Sequence, residues 1–260
     1  MIHYRIEGEG EPIILIHGFP NDSSNWDTVL PFLSQSYQYF IIDLPGAGKS
    51  EATNPLTIES MALSIKEMMD KEHIKQALFV GHSMGGYTTM EATQHYPERI
   101  KAISLVHSLA SGDNDATKEL RRKSINLIKR NDKSKMVFLK AMAEGLIGKT
   151  YREQHPDAPN IIINNGLKLP TETLASYYEA MMQRSDKVAW LETNNSIPIQ
   201  WIIGAEDTAT TKENMLSQCY LSAVNDVQLY HNIGHMSMIE CPEMLANDLN
   251  RYFDFIWKQN

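Results

Sequence analysis

The apolar run Ala77-Leu78-Phe79-Val80 ends directly in Gly81-His82-Ser83-Met84-Gly85, and Gly86-Tyr87-Thr88-Thr89-Met90-Glu91-Ala92 continues with a helical pattern that stops near Tyr96-Pro97. A strand that turns this abruptly into a helix constrains the chain around it. The glycines two places either side of Ser83 mark points where a Cβ would collide with neighbouring backbone. The pattern is that of a nucleophile elbow, in which a serine is held in a strained turn above the sheet edge. The helix that starts there offers unpaired N–H groups and a positive dipole end to an anion forming beside the serine. Alone, the pentapeptide also fits an ordinary Gly-rich turn. The strand before it, the helix after it and a further strand at 102–106 favour the functional reading.

The rest of the chain supplies a setting for that turn. Strands are expected at 3–7 and 12–17, with Gly8-Glu9-Gly10-Glu11 reading as a hairpin turn between them. Ser23 or Ser24 is placed to cap a helix carrying Trp26, Val29, Leu30 and Leu33. Residues 39–42 read as a short strand buried on both faces, and 57–69 as a helix with Ile58, Met61, Ala62, Ile65, Met68 and Met69 on one face. Between about Ser108 and Ser196 the alternation breaks into helical patterns, with one strand-like run, Ile161-Ile162-Ile163. Strands at 199–203 and 227–230, a helix at 212–221 and a final helix from about Pro242 to Trp257 restore it. Alternating strands and helices imply a parallel α/β sheet covered on both faces. The break reads as an inserted helical lid, with a core at 1–108 and 197–260 and a cap at 109–196.

A serine hydroxyl is a weak nucleophile that needs a base within reach, and the base needs an orienting group. Among nine histidines, His235 stands in Ile233-Gly234-His235-Met236, a loop between the last strand and the final helix. His3, His17, His73, His82, His95, His107, His155 and His231 lack comparable context. Asp207, in Gly204-Ala205-Glu206-Asp207 behind the 199–203 strand, suits the orienting acid, with Glu206 beside it and Asp113 after the previous strand as competitors. A plain turn or helix cap is the ordinary use of such an aspartate. An oxyanion requires two backbone donors. Met84 follows the nucleophile, and Phe19, in His17-Gly18-Phe19-Pro20, is the natural other.

These residues bring the chain, over nearly its whole length, to resemble the α/β-hydrolase superfamily. The resemblance rests on His17-Gly18-Phe19-Pro20 with Trp26, Asp43-Leu44-Pro45-Gly46-Ala47-Gly48-Lys49-Ser50, Gly81-His82-Ser83-Met84-Gly85-Gly86, Gly204-Ala205-Glu206-Asp207, and Gly234-His235 followed by Glu240-Cys241-Pro242-Glu243. It implies an α/β-hydrolase fold with a mostly parallel, eight-stranded sheet flanked by helices and a helical cap inserted after the sixth strand. It also implies Ser83, Asp207 and His235 as a catalytic triad, Phe19 and Met84 as oxyanion donors, and no cofactor or metal. The expected activity is serine hydrolysis of a carboxylic ester or related small acyl substrate. Carbon–carbon hydrolysis, lactone hydrolysis, cofactor-free perhydrolysis and a low-turnover receptor of the same fold are the alternatives. The segment Gly46-Ala47-Gly48-Lys49-Ser50 imitates a phosphate-binding P-loop, but that motif needs glycine where Asp43 stands.

Composition narrows the partners. The net charge of −8 argues against nucleic acid as a general partner. Apolar runs are too short to span a bilayer, and the start lacks a secretory signal pattern. Two cysteines, Cys219 and Cys241, suit reduced thiols in a cytoplasmic protein. Residues 118–140 carry nine basic residues against Glu119 and Asp132, a local +7 that leaves −15 on the rest. The bland reading is a solvated helix face. The sharper one is a lid surface for an anionic substrate or an acidic carrier protein. Met136, Phe138, Met142, Tyr177, Met181 and Met236 are candidates for an adaptable acyl pocket, together with Val137, Leu139, Tyr178 and Met182 nearby. The ordinary alternative is that they glue lid helices to the core.

Overall fold

The structure, a computed structural model, describes residues 2–258. The chain builds seven strands: β1 (Tyr4–Glu7), β2 (Glu11–Ile16), β3 (Tyr37–Ile42), β4 (Ala77–His82), β5 (Ile100–Val106), β6 (Ile199–Gly204) and β7 (Asn225–Tyr230). They form one sheet in the order β1-β3-β2-β4-β5-β6-β7, parallel throughout except for β1 against β3. The resemblance implied eight strands; seven are found among the described residues, the same seven core strands that the residue pattern marks. Consequently the helical insertion follows the fifth strand rather than the sixth.

Two local expectations give way to tertiary contacts. Gly8 and Gly10 do not close a hairpin, because β1 and β2 both pair with β3 and lie on opposite sides of it. The connecting turn crosses the start of β3, where a Cβ on Gly8 would lie 2.3 Å from the Tyr37 carbonyl oxygen. The segment around Trp26 forms two 3₁₀ turns, Ser23–Trp26 and Leu30–Phe32, rather than one α-helix. Asp22 caps the first, and Pro31, lacking an N–H, limits what can continue through it.

Helices α1 (Ile58–Lys71) and α2 (Met84–His95) cover one face of the sheet. Thr57 starts α1 through a reciprocal capping pair with Ser60. The insertion then supplies α3 (Asp115–Arg130), α4 (Asp132–Leu146), α5 (Lys149–Gln154), α6 (Pro159–Lys168), α7 (Thr171–Gln183) and α8 (Val188–Thr193). Ile161-Ile162-Ile163 belongs to α6, so that run is helical. Three adjacent isoleucines suit a buried helix turn as well as a strand, and only the packing of Ile162 and Ile163 against α4 separates the two. The chain ends with α9 (Lys212–Leu216), α10 (Ser237–Glu240) and α11 (Pro242–Trp257). The helix expected at 212–221 therefore stops at Leu216.

Strand alternation sends Ile14, Ile16, Phe40, Ile42 and Phe79 to the α1/α2 face and Ile13, Leu15, Ile41, Leu78 and Val80 to the α11 face. On the latter, Phe253 packs edge-on to Tyr37 at 5.5 Å. Among the described residues no helix is long and apolar enough to cross a membrane, and Cys219 and Cys241 are both free thiols.

Candidate active site

β4 ends at His82 and α2 begins at Met84, so Ser83 alone makes the turn. Its φ of 50° and ψ of −115° lie where a residue with a side chain sits only under constraint, at a cost of about 1–3 kcal/mol. The constraint is visible. A Cβ on Gly81 would lie 2.5 Å from the Gly85 carbonyl oxygen, and one on Gly85 would lie 2.4 Å from that of Ile16. Ser83 N donates to Val106 O at 3.0 Å, while Ser83 O accepts from Gly86 N and Ser108 Oγ, each at 2.8 Å.

Asp207 follows β6 and is buried. Its Oδ1 accepts from the amides of Ala209 (2.8 Å) and Thr210 (2.9 Å), and its Oδ2 accepts from Thr210 Oγ1 (2.7 Å). The same Oδ2 lies 2.8 Å from His235 Nδ1. Burial alone would raise this carboxyl. The His235 ring, hydrogen-bonded at 2.8 Å, and the nearby His107 ring outweigh burial and hold it well below the usual carboxylate range. His235 thus has its Nδ1 committed to Asp207 and lines one cavity with Ser83. Ser83 Oγ makes no hydrogen bond among the described residues; contacts of this kind often tighten only when substrate binds. The Phe19 and Met84 amides likewise have no hydrogen-bond partner among the described residues, and Phe19 lines the same cavity.

The competing acids are engaged elsewhere. Glu206 accepts from Thr150 N at 2.8 Å and from Thr150 Oγ1. Asp113 is buried between Arg121 and Arg184, the latter at 2.6 Å. Among the described residues no group of three or more His, Cys, Asp or Glu could hold a metal ion. The Asp43 carboxylate within the P-loop look-alike accepts from Ser23 N (2.8 Å) and Lys49 N (3.0 Å), which ties that loop to the turn before Trp26.

Three residues around the pair are given no role by the sequence alone. His107, at the end of β5, is fully buried, with Nδ1 3.6 Å from Asp207 Oδ2 and neither ring nitrogen hydrogen-bonded. Burial lowers its pKa despite Asp207. His82 Nε2 lies 3.0 Å from His235 O; burial, then the His235 and His107 rings, push it well below the usual histidine value. Glu240 accepts from Gly234 N (2.8 Å), Met236 N (3.0 Å) and Gly148 N (3.1 Å), and His235 N donates to Leu146 O at 2.8 Å. The His235 loop is therefore fastened to the end of α4. For His107 a signal existed: it follows a strand beside the elbow, at the carboxyl edge where α/β sheets place ligands.

The cavity beside Ser83 measures about 80 Å³. Of the six pocket candidates, Met142 and Met181 line it. Phe138 packs at 5.4 Å against Tyr178, and Tyr177 is fully buried with its hydroxyl on Pro45 O at 2.7 Å. Met136 and Met236 join a separate cluster with Ala143 and Ile162. The helical phase of α7 turns Tyr178, one residue on, toward the cavity, where Tyr87, Arg121 and Leu146 complete the wall. A larger cleft of about 560 Å³ lies between Pro20, Gly48, Asn165 and Thr173, away from Ser83. The basic segment is not a uniform solvated face. Lys135 is buried and donates to Leu169 O at 2.8 Å, Lys129 reaches Glu172 at 3.3 Å, and Arg121 points into the site.

The chain is similar to known proteins over part of its sequence and in its fold. A family model described as alpha/beta hydrolase fold matches residues 11–134. Over 114 residues the chain is 35% identical to the dihydrolipoyllysine-residue acetyltransferase component of the acetoin cleaving system of Cupriavidus necator, covering 43% of this chain and 30% of that protein. The chain thus spans well under half the length of the curated relatives it matches over such segments. Among solved structures, a thermophilic esterase from Thermogutta terrifontis superposes with a TM-score of 0.91 at 23% identity, covering 98% of this chain and 93% of that one. The enol-lactonase from Burkholderia xenovorans LB400 superposes with a TM-score of 0.86 at 23% identity, covering 97% and 96%.

Proposed function

We propose that the chain, which has the α/β-hydrolase fold and matches that family's model over residues 11–134, is a serine hydrolase of carboxylic esters or related small acyl compounds. One observation carries the reading: a strained serine at the elbow shares a cavity with a histidine whose Nδ1 is held 2.8 Å from a buried aspartate.

Asp207, ionised and pinned by two amides and a hydroxyl, accepts a hydrogen bond from the Nδ1–H of His235, which keeps its proton. That leaves Nε2 as the basic nitrogen. Ser83 Oγ attacks the acyl carbon as Nε2 takes its proton, and the imidazolium formed is stabilised by the Asp207 charge. The tetrahedral oxyanion is received by the unoccupied amides of Phe19 and Met84, the latter at the positive end of α2. His235 returns the proton to the leaving alcohol. It then activates a water that releases the acid from Ser83.

Burial of His82 and His107 as neutral rings keeps charge from accumulating beside the imidazolium. The helices of the insertion, residues 109–196, act as a cap that closes the site and excludes water. An activated-ester and lactone panel of varied acyl length tests the reading, with Ser83→Ala as the blank. Turnover of an ester or lactone that vanishes in the folded blank supports it; wild-type rates in the blank overturn it.

A further inference from the structure

We propose that Arg121 makes this site selective for substrates that carry a carboxylate on the acyl chain, such as monoesters of short dicarboxylic acids. The proposal rests on the serine-hydrolase reading and narrows it to a substrate class.

The observation is a charge imbalance in the cavity wall. Asp113 is the single carboxylate between two guanidinium groups, Arg121 and Arg184. Arg184 has both terminal nitrogens engaged: Nη1 donates to Asp113 Oδ1 and Met181 O, and Nη2 donates to Ser111 O at 2.9 Å; its Cζ lies 3.9 Å over the Tyr87 ring centroid, and only its buried Nε finds no acceptor among the described residues. Arg121 commits only Nε to Asp113. Its two terminal nitrogens donate to no acceptor among the described residues, although its side chain is only 16% exposed. The residue lines the same cavity as Ser83 and His235, backed by the Tyr178 ring at 5.1 Å.

One carboxylate cannot neutralise two guanidinium groups, so this wall carries a net positive charge with unused donors in a forked geometry. A carboxylate matches that fork with two parallel, charge-assisted hydrogen bonds. A neutral acyl chain would leave the donors desolvated and unpaired, which is the stronger source of discrimination. The cavity of about 80 Å³ holds only two or three waters, at roughly 30 Å³ each. An acyl chain therefore enters by displacing Met142 and Met181, whose unbranched side chains repack readily.

The test compares matched methyl esters, monomethyl glutarate with methyl pentanoate and monomethyl adipate with methyl hexanoate, by following methanol release. Wild type is expected to prefer the acidic member of each pair. In Arg121→Gln the ratio of kcat/KM for acidic over neutral ester falls about 10- to 100-fold, and Arg121→Lys restores part of it. Calorimetry on Ser83→Ala asks the same question without turnover: monomethyl adipate binds and methyl hexanoate does not, and adding Arg121→Gln abolishes binding of monomethyl adipate. Equal binding of the two esters to Ser83→Ala, no preference for the acidic ester in wild type, or a preference that folded Arg121→Gln leaves unchanged overturns the proposal, and the first two outcomes do not depend on how well the Arg121 variant folds. Ester turnover that survives in Ser83→Ala instead overturns the underlying mechanism, a result separable from the binding preference.

Discussion

Asp207→Asn is the substitution whose consequence the geometry specifies most closely. Asparagine offers one oxygen and one NH₂ where aspartate offers two oxygens. The amides of Ala209 and Thr210, at 2.8 and 2.9 Å, both donate to the Oδ1 position, so an oxygen must remain there. The NH₂ is then forced to the Oδ2 position, 2.8 Å from His235 Nδ1. Two donors cannot face each other, so His235 must present an unprotonated Nδ1 and carry its proton on Nε2, the nitrogen that should accept from Ser83. The charge that stabilises the imidazolium is lost as well. A wrong tautomer with intact geometry costs about 10⁴-fold in kcat in the best-studied triad, or about 5 kcal/mol of barrier. The assay is kcat on an activated ester for wild type and Asp207→Asn, with circular dichroism to verify the fold. A folded variant within tenfold of wild type would refute the assignment of Asp207 and the tautomer argument together.

Four further outcomes are expected. Ser83→Ala should leave only about 10³-fold rate enhancement over water, measured on the same ester; full activity in the folded variant would remove Ser83 from the mechanism. Ser83→Gly should be more stable than Ser83→Ala by about 1 kcal/mol in urea unfolding. Glycine relieves about 1–3 kcal/mol of strain at φ 50° and gives back roughly 0.5–1 kcal/mol in chain entropy, so equal midpoints would contradict the strain. Asp113→Asn should lower stability by about 3–5 kcal/mol, since it leaves two guanidinium groups facing a neutral amide; an unchanged Tm would show the ion cluster to be dispensable. Stability should also fall as pH drops below about 6.5. His17, His82 and His107 have folded-state pKa values lowered chiefly by burial, so the unfolded chain takes up protons first. Each then contributes a slope of about 1.4 kcal/mol per pH unit until its folded pKa is reached. Glu240, raised by burial, opposes this with a single group at lower pH. A urea midpoint unchanged between neutral and mildly acidic pH would refute the buried-neutral description.

Much of the architecture was legible because its causes are local. A fully apolar strand that runs into Gly81 and Gly85 turns sharply into the next helix, and periodicity marked seven strands and helices at 57–69, found at 58–71, and from about 242 to 257. Chain order was enough to nominate Ser83, Asp207 and His235. What local pattern could not decide was set by contacts between distant segments. The Gly8–Gly10 turn looks like a hairpin until β3 takes its place between β1 and β2. Three isoleucines look like a strand until α4 packs on them. Tyr177 and Tyr178 are indistinguishable in sequence, yet the phase of α7 buries one against Pro45 and turns the other into the cavity. Arg121 reads as one charge in a basic run of nine. Only the fold brings Asp113 and Arg184 beside it, uses up their charges, and leaves its free donors facing the serine's cavity. Propensity acts over a few residues, whereas burial, pairing and charge balance are decided by neighbours that the chain supplies from tens to hundreds of residues away.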